Sequence, residues 1–254
     1  VEKAITKKTK AIMPVHLYGQ AAQMPEIMRI AKKHKLRVIE DAAQGIGVSY
    51  DGKPVGGFGD VGCLSFYADK VITTGEGGMI LTNDDELAKQ TTILLNQGRT
   101  GRGWYIHDYI GYNFRMSDLQ AAVGLGQLKK LSTIIARKKK IEKLYHTYLR
   151  DILEVEFPYS DPRGFNVPFR ITIAVKTPQA LVEFLNKKRI KASRSFYPIH
   201  MQPCYNRKGS FPNSLSAYER LLRLPSGVTL SKEEILYVCD AIKEFFRKKP
   251  NKVV

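Results

Sequence analysis

Lys70, Asp41, Gln44 and Ser65 are the residues of this chain whose types and spacing suggest covalent chemistry. A lysine amine can form an imine with an aldehyde, and a carboxylate held in the same pocket can keep a pyridine nitrogen protonated. Together these are the two protein groups that pyridoxal phosphate chemistry needs most. Lys70 lies in Cys63-Leu-Ser-Phe-Tyr-Ala-Asp-Lys70, before the glycine-rich Thr73-Thr-Gly-Glu-Gly-Gly78, while Asp41 and Gln44 lie in Glu40-Asp-Ala-Ala-Gln44. Each also has a plain reading. A lysine ending a strand can simply be solvated, Asp41 can cap a turn, and Ser65 and Gln44 can serve local backbone groups.

The elements that must position these residues alternate between strand and helix. Ala11 to Tyr18 reads as a strand, Pro25 to Lys35 as an amphipathic helix with proline in its first turn, and Leu36 to Ile39 as the next strand, from whose end Asp41 hangs. Val61 to Tyr67 is a strand leading to Lys70, Gly78 to Thr82 continues the sheet, and Asp84-Asp85 caps a helix ending near Gly98. This alternation predicts a layered α/β domain with its chemistry at strand ends. Ser117-Asp-Leu-Gln120 is a capping box opening one long helix to about Leu149. Beyond it, a strand at Val167–Val175, a helix from Pro178 to about Arg189, a strand at Lys191–Ile199 and a capped helix from Ser231 to about Arg247 form a smaller α+β unit. The expected division is 1–128 and 129–254, joined through the long helix.

Composition narrows the classes. A hydrophobic content of 43% suits a globular core, and no run approaches the roughly 18 to 20 apolar residues of a membrane helix. Three widely spaced cysteines, Cys63, Cys204 and Cys239, without a CxxC pair argue against a disulfide framework or metal site and for a reducing cytoplasm. The formal charge of +17 gathers in Lys7-Lys-Thr-Lys10, Arg137-Lys-Lys-Lys140 and Arg247-Lys-Lys249. Nucleic-acid binding, a solvated helix face, or a field that draws in an anionic substrate such as a nucleotide-sugar all fit such clusters, the first least well.

Six segments in order resemble the sugar aminotransferases of the DegT/DnrJ/EryC1/StrS family. They are Pro14-Val-His-Leu-Tyr-Gly19, Glu40-Asp-Ala-Ala-Gln44, Ser65 to Gly78, Gly111-Tyr-Asn-Phe-Arg through Leu128, Tyr197-Pro-Ile-His200 and Leu224-Pro-Ser-Gly227. The resemblance implies an α/β fold, the PLP-dependent transferase fold type I, with an incomplete large α/β/α sheet domain and a smaller C-terminal α+β domain. It implies pyridoxal 5'-phosphate held at Lys70 as an internal aldimine, with Lys70 then shuttling the proton. Asp41 would pair with the pyridinium nitrogen, Gln44 would contact the ring's hydroxyl side, and Ser65 would donate to the phosphate. Asn113 would reach the partner's phosphate across a homodimer interface. His16, Arg194 and His200 match stretches that approach substrate, and Trp104 is a candidate contact residue. The implied reaction transfers an amino group, from glutamate, to a nucleotide-linked keto-sugar.

Some similar proteins carry histidine in place of the lysine and act as dehydratases; Lys70 favours amino transfer. Ile72 to Gly78 looks closest to members that aminate C4 of GDP-4-keto-6-deoxymannose to make perosamine, although Asp69 departs from their usual asparagine. Members of the family also carry roughly 100 residues before the stretch matching Val1, including another phosphate-binding turn and a ring that stacks on the cofactor. The resemblance therefore leads to the expectation of a truncated chain that binds the cofactor weakly and tends to associate. The alternative is a non-catalytic subunit that keeps the fold.

Overall fold

The computed structural model of the protein describes residues 1–101, 103, 105–205 and 209–247. Trp104 and the last two residues of the C-terminal basic run lie outside the described residues. The chain divides into two compact units, one of residues 1–135 with 161–169, the other of 136–160 with the described residues from 170 onward. The division falls at 135/136, inside a helix, and 161–169 belongs to the first unit.

In chain order the first unit contains β1 (Ala11–Ile12), α1 (Met24–His34), β2 (Arg37–Asp41), β3 (Ser49–Tyr50), β4 (Lys53–Pro54), β5 (Val61–Ser65), β6 (Gly78–Leu81), α2 (Asp85–Leu95) and α3 (Asp118–Leu128). The helix α4 (Leu131–Leu149) carries the boundary, and β7 (Gly164–Phe165) is the last strand of this unit. Strands order as β1-β2-β5-β6, the first three parallel and β6 antiparallel to β5. Pro25 starts α1, whose apolar stripe buries Met24 and Ala31 against Val38, with Ile27, Met28, Leu36 and Phe58 around them. Burying Met24 completely contributes about 1.5–3 kcal/mol. Asp84 caps α2 by accepting from the Glu86 and Leu87 amides, and Ser117 with Gln120 caps α3 reciprocally.

The second unit adds β8 (Ile171–Ala174), α5 (Pro178–Lys187), β9 (Ser193–Arg194), α6 (Pro212–Arg220), β10 (Leu221–Leu224) and α7 (Lys232–Arg247). Its antiparallel sheet runs β8-β10-β9. Ile141, Tyr145 and Leu149 of α4 join Leu181 and Leu185 of α5, Leu222 of β10 and Ile235 and Ile242 of α7 in one buried core.

Five expectations need correcting. The strand expected over 191–199 shrinks to Ser193–Arg194, and Ile199 already begins a 3-10 segment. The strand expected over 11–18 stops at Ile12, and the chain then turns through a 3-10 segment at Leu17–Gly19 with Tyr18 left-handed at φ 58°. The strand before Lys70 ends at Ser65, so Lys70 sits in a turn closed by its own N–H on the Tyr67 carbonyl at 3.0 Å. The single helix expected over 117–149 is two, because at Lys130 the backbone N–H turns to the Gln127 carbonyl, three residues back, and the helical ladder lapses. The basic run on α4 is only partly a solvated face. The Arg137 guanidinium donates to the Val228 and Leu230 carbonyls, Lys138 is buried, and Lys139 pairs with Glu142 at 2.5 Å. Among the described residues no helix is long and apolar enough to cross a membrane.

Candidate active site

Two neighbouring parallel strands set the site in the first unit. Asp41 is the last residue of β2 and lies opposite Cys63 of β5, two residues before Ser65. The Asp41 backbone is tied on both sides, its N–H donating to the Pro14 carbonyl at 2.9 Å and its carbonyl accepting from the His16 N–H at 3.1 Å. One carboxylate oxygen accepts the Ala43 N–H at 3.1 Å, which is the local turn contact that aspartate commonly makes. Burial first, and then the Asp41 carboxylate close by, push the Cys63 thiol pKa up.

Lys70 reaches the same neighbourhood through a loop. Phe66 donates to the Gly77 carbonyl at 2.9 Å, and the Phe66 carbonyl accepts from the Thr74 N–H at 2.9 Å and the Thr73 hydroxyl at 3.0 Å. Val71 and Ile72 after the lysine are buried and anchor it. Lys70 Nζ lies over the Phe169 ring, 4.8 Å from its centroid. The Phe169 N–H donates to the Tyr18 carbonyl at 2.9 Å, and the Tyr18 N–H donates to Gln44 Oε1 at 2.6 Å. A chain of contacts therefore runs from Lys70 to Gln44, three residues past Asp41. Gln44 also steadies Tyr18 in its left-handed conformation.

The remaining candidates divide by unit. Ser65 accepts the Tyr67 N–H at 3.3 Å. Asn113 is exposed, bridges the backbone of Asn96, and accepts from Arg115 Nε at 3.4 Å. His16 is fully buried: Nδ1 accepts the Ala22 N–H at 3.1 Å and Nε2 meets Glu40 Oε2 at 3.1 Å. With both ring nitrogens engaged and no surface, it is not placed to touch a substrate. Arg194 and His200 belong to the second unit. Arg194 donates to the Tyr218 carbonyl at 2.5 Å and lies over the Tyr218 ring, while His200 packs on Phe211. Two contributors escaped the sequence reading, Glu40 and Phe169. Strand alternation around Asp41 could have flagged Glu40 as inward-facing, but nothing local marks Phe169.

Among the described residues Lys70 and Asp41 make no ion pair, with each other or with any other group. The Asp41 carboxylate and the Ser65 hydroxyl thus stand at the ends of β2 and β5, the Gln44 amide follows the first and the Lys70 amine lies in the loop after the second, with the amine and carboxylate not spent on each other. This donor set fits pyridoxal phosphate. Among the described residues no group of three or more His, Cys, Asp or Glu side chains could hold a metal.

The DegT/DnrJ/EryC1/StrS aminotransferase family matches residues 1–243. A GDP-perosamine synthase of Escherichia coli O157:H7 is 40% identical over 253 residues, covering 98% of this chain and 69% of its own length. A GDP-perosamine synthase of Vibrio cholerae is 36% identical, covering 97% and 69%. Among solved structures, DesV of S. venezuelae is 33% identical with a TM-score of 0.92, covering 98% of this chain and 68% of that one.

Proposed function

The chain belongs to the DegT/DnrJ/EryC1/StrS aminotransferase family, whose members depend on pyridoxal phosphate, and from that premise we propose that this protein moves an amino group from glutamate to GDP-4-keto-6-deoxymannose. The GDP-perosamine synthases, and a UDP-N-acetyl-3-dehydro-alpha-D-glucosamine 3-aminotransferase of Acidithiobacillus ferrooxidans, support that reading. The observation that carries the reading for this chain is a carboxylate at the end of β2 and a lysine in the loop after β5, neither of them in an ion pair among the described residues.

In this reading Lys70 holds the cofactor and moves a proton at the amino carbon. Asp41 keeps the ring nitrogen charged, Gln44 sets the ring's edge, and Ser65 donates to the phosphate. When bound, pyridoxal phosphate supplies the electron sink that makes the amino carbon acidic. The Phe169 ring face lies against the amine, and among the described residues no carboxylate pairs with it.

Asn113 is assigned to the partner's phosphate in a homodimer. The exposed aromatic and aliphatic side chains around it, Tyr112, Phe114, Leu119 and Val123, support that assignment. Arg194 and His200 are assigned to substrate. Free cysteines at 63, 204 and 239 suit a cytoplasmic enzyme.

Titration with pyridoxal phosphate tests the reading. The expected result is a visible absorbance band at saturating pyridoxal phosphate that is absent in Lys70→Ala, together with a fall in amino transfer of about a thousandfold or more in that variant. A band that survives Lys70→Ala, or no band in the parent chain, sinks it.

A further inference from the structure

We infer that Glu40 is a positioning residue for Asp41, acting with His16 as a buried clamp that fixes the end of β2. This rests on the cofactor site proposed above. Glu40 is fully buried and its carboxylate is saturated. Oε1 accepts the Phe58 N–H at 2.6 Å and the Gly59 N–H at 2.7 Å, and Oε2 accepts the Gly56 N–H at 2.7 Å and meets His16 Nε2 at 3.1 Å. Because the Ala22 amide donates to His16 Nδ1, the proton of the ring sits on Nε2 and is given to Glu40. Burial alone would raise the pKa of Glu40, but His16 and the three amides outweigh it and hold the carboxylate below its usual range.

A fully buried carboxylate is costly unless every lone pair is met. Here the outlay secures geometry. Along a strand, neighbouring side chains face opposite ways, so Glu40 looks inward where Asp41 looks out. His16 is bound to Glu40 by its ring and to Asp41 by its backbone N–H. The segment Pro14–His16 lies alongside Asp41 as a parallel bridge between Val15 and Asp41. Glu40 therefore fixes, through one side chain, the strip of backbone that holds Asp41 from the other side.

The Gly56–Gly59 turn is shaped for this carboxylate. A Cβ at Gly59 would meet the Val38 carbonyl at 2.6 Å, and one at Gly62 would meet the Gly56 carbonyl at 2.0 Å. The turn presses on β2 and β5 at once and aims its amides at Glu40. No other candidate role uses these groups, since neither His16 nor Glu40 has any exposed surface.

The test compares pyridoxal phosphate dissociation constants, band position and melting temperature for the parent chain, Glu40→Gln, His16→Gln and Val48→Ala. Val48 is a buried core residue of the same unit outside the clamp. Glu40→Gln should weaken cofactor binding about tenfold or more and move the band, as loss of a supporting shell does. His16→Gln, which keeps a donor for Glu40, should lose less. Val48→Ala should lower the melting temperature and leave the dissociation constant within about twofold.

Should Glu40→Gln fail to fold, the His16 ring N–H resonance of the parent chain is followed as cofactor is added. Movement supports the clamp, and a fixed signal overturns it. Binding by Glu40→Gln within about twofold of the parent also overturns it. No band in the parent removes the cofactor reading itself, and the clamp's role with it.

Discussion

The helices α3 and α7 begin with the same local device and end in opposite environments. Ser117 and Gln120 cap one, Ser231 and Glu234 the other, and both carry leucine, valine or isoleucine at helical spacing. In α7, Ile235, Val238, Cys239, Ala241 and Ile242 are all buried in the core of the second unit. In α3 no residue is buried, and Leu119 is 82% exposed and Leu125 62%. Capping and propensity decide that a segment is a helix. What it packs against is decided elsewhere in the fold, so an apolar stripe marks a surface to be covered without saying by what. The second unit covers its stripe from within. The first unit leaves α3 open beside the aromatic pair Tyr112 and Phe114, stacked at 4.9 Å, which is the surface assigned above to a second copy.

Three measurements press on that contrast. The largest effect is expected in the second unit, where Ile235→Ala should cost about 2–5 kcal/mol by chemical denaturation and leave cofactor affinity unchanged. On α3, Leu119→Ser with Leu125→Ser should change the stability of the dissociated chain by no more than about 0.5 kcal/mol. Sedimentation should nonetheless show a shift from dimer to monomer. If the double variant costs the isolated chain as much as Ile235→Ala, the stripe belongs to the chain's own core and the contrast collapses.

The smallest effect is one of acidity. His146 in the second unit is depressed by burial, so its unfolded form binds the extra proton first and stability declines as pH falls below about 6.5. In the first unit, Arg163 holds Asp161 well below its usual range, and Glu40 is depressed despite its burial. Their stabilisation is present above the usual carboxylate range and is lost as pH falls below about 4. Hydrogen exchange across a pH series should therefore loosen α4 and β8 before β2, and the reverse order would refute the assignment.

The parts legible in the sequence were those with local causes. Proline at the start of α1, aspartate at the cap of α2, both capping boxes and the apolar runs of β2 and β5 reveal themselves within a few residues. The β3–β4 hairpin carries its own sign, Asp51-Gly52 with both residues at positive φ, yet its strands are too short for alternation to appear. The strand β10 follows α6 with no linker, Arg220 ending one and Leu221 beginning the other, so no turn residue announces it. Lys70, Asp41, Gln44 and Ser65 were legible through motif. Their support was not, because Phe169 and Tyr18 meet Lys70 and Gln44 only through long excursions of the chain. The helix break at Lys129-Lys130 also has no sequence signal, since lysine continues a helix well.

The loop bearing Lys70 opens and closes on one residue, Phe66, whose amide and carbonyl hold both ends of the excursion. Such a closure fixes the length of thread available to the amine. A residue inserted between Tyr67 and Val71 would lengthen the thread and displace the amine while leaving the strand register intact. A residue inserted beyond Leu81 would leave the thread as it is. Tolerance of insertions and deletions should therefore be lost sharply at Phe66 and regained after Leu81, a boundary that a scan of single-residue insertions would map without any knowledge of the chemistry.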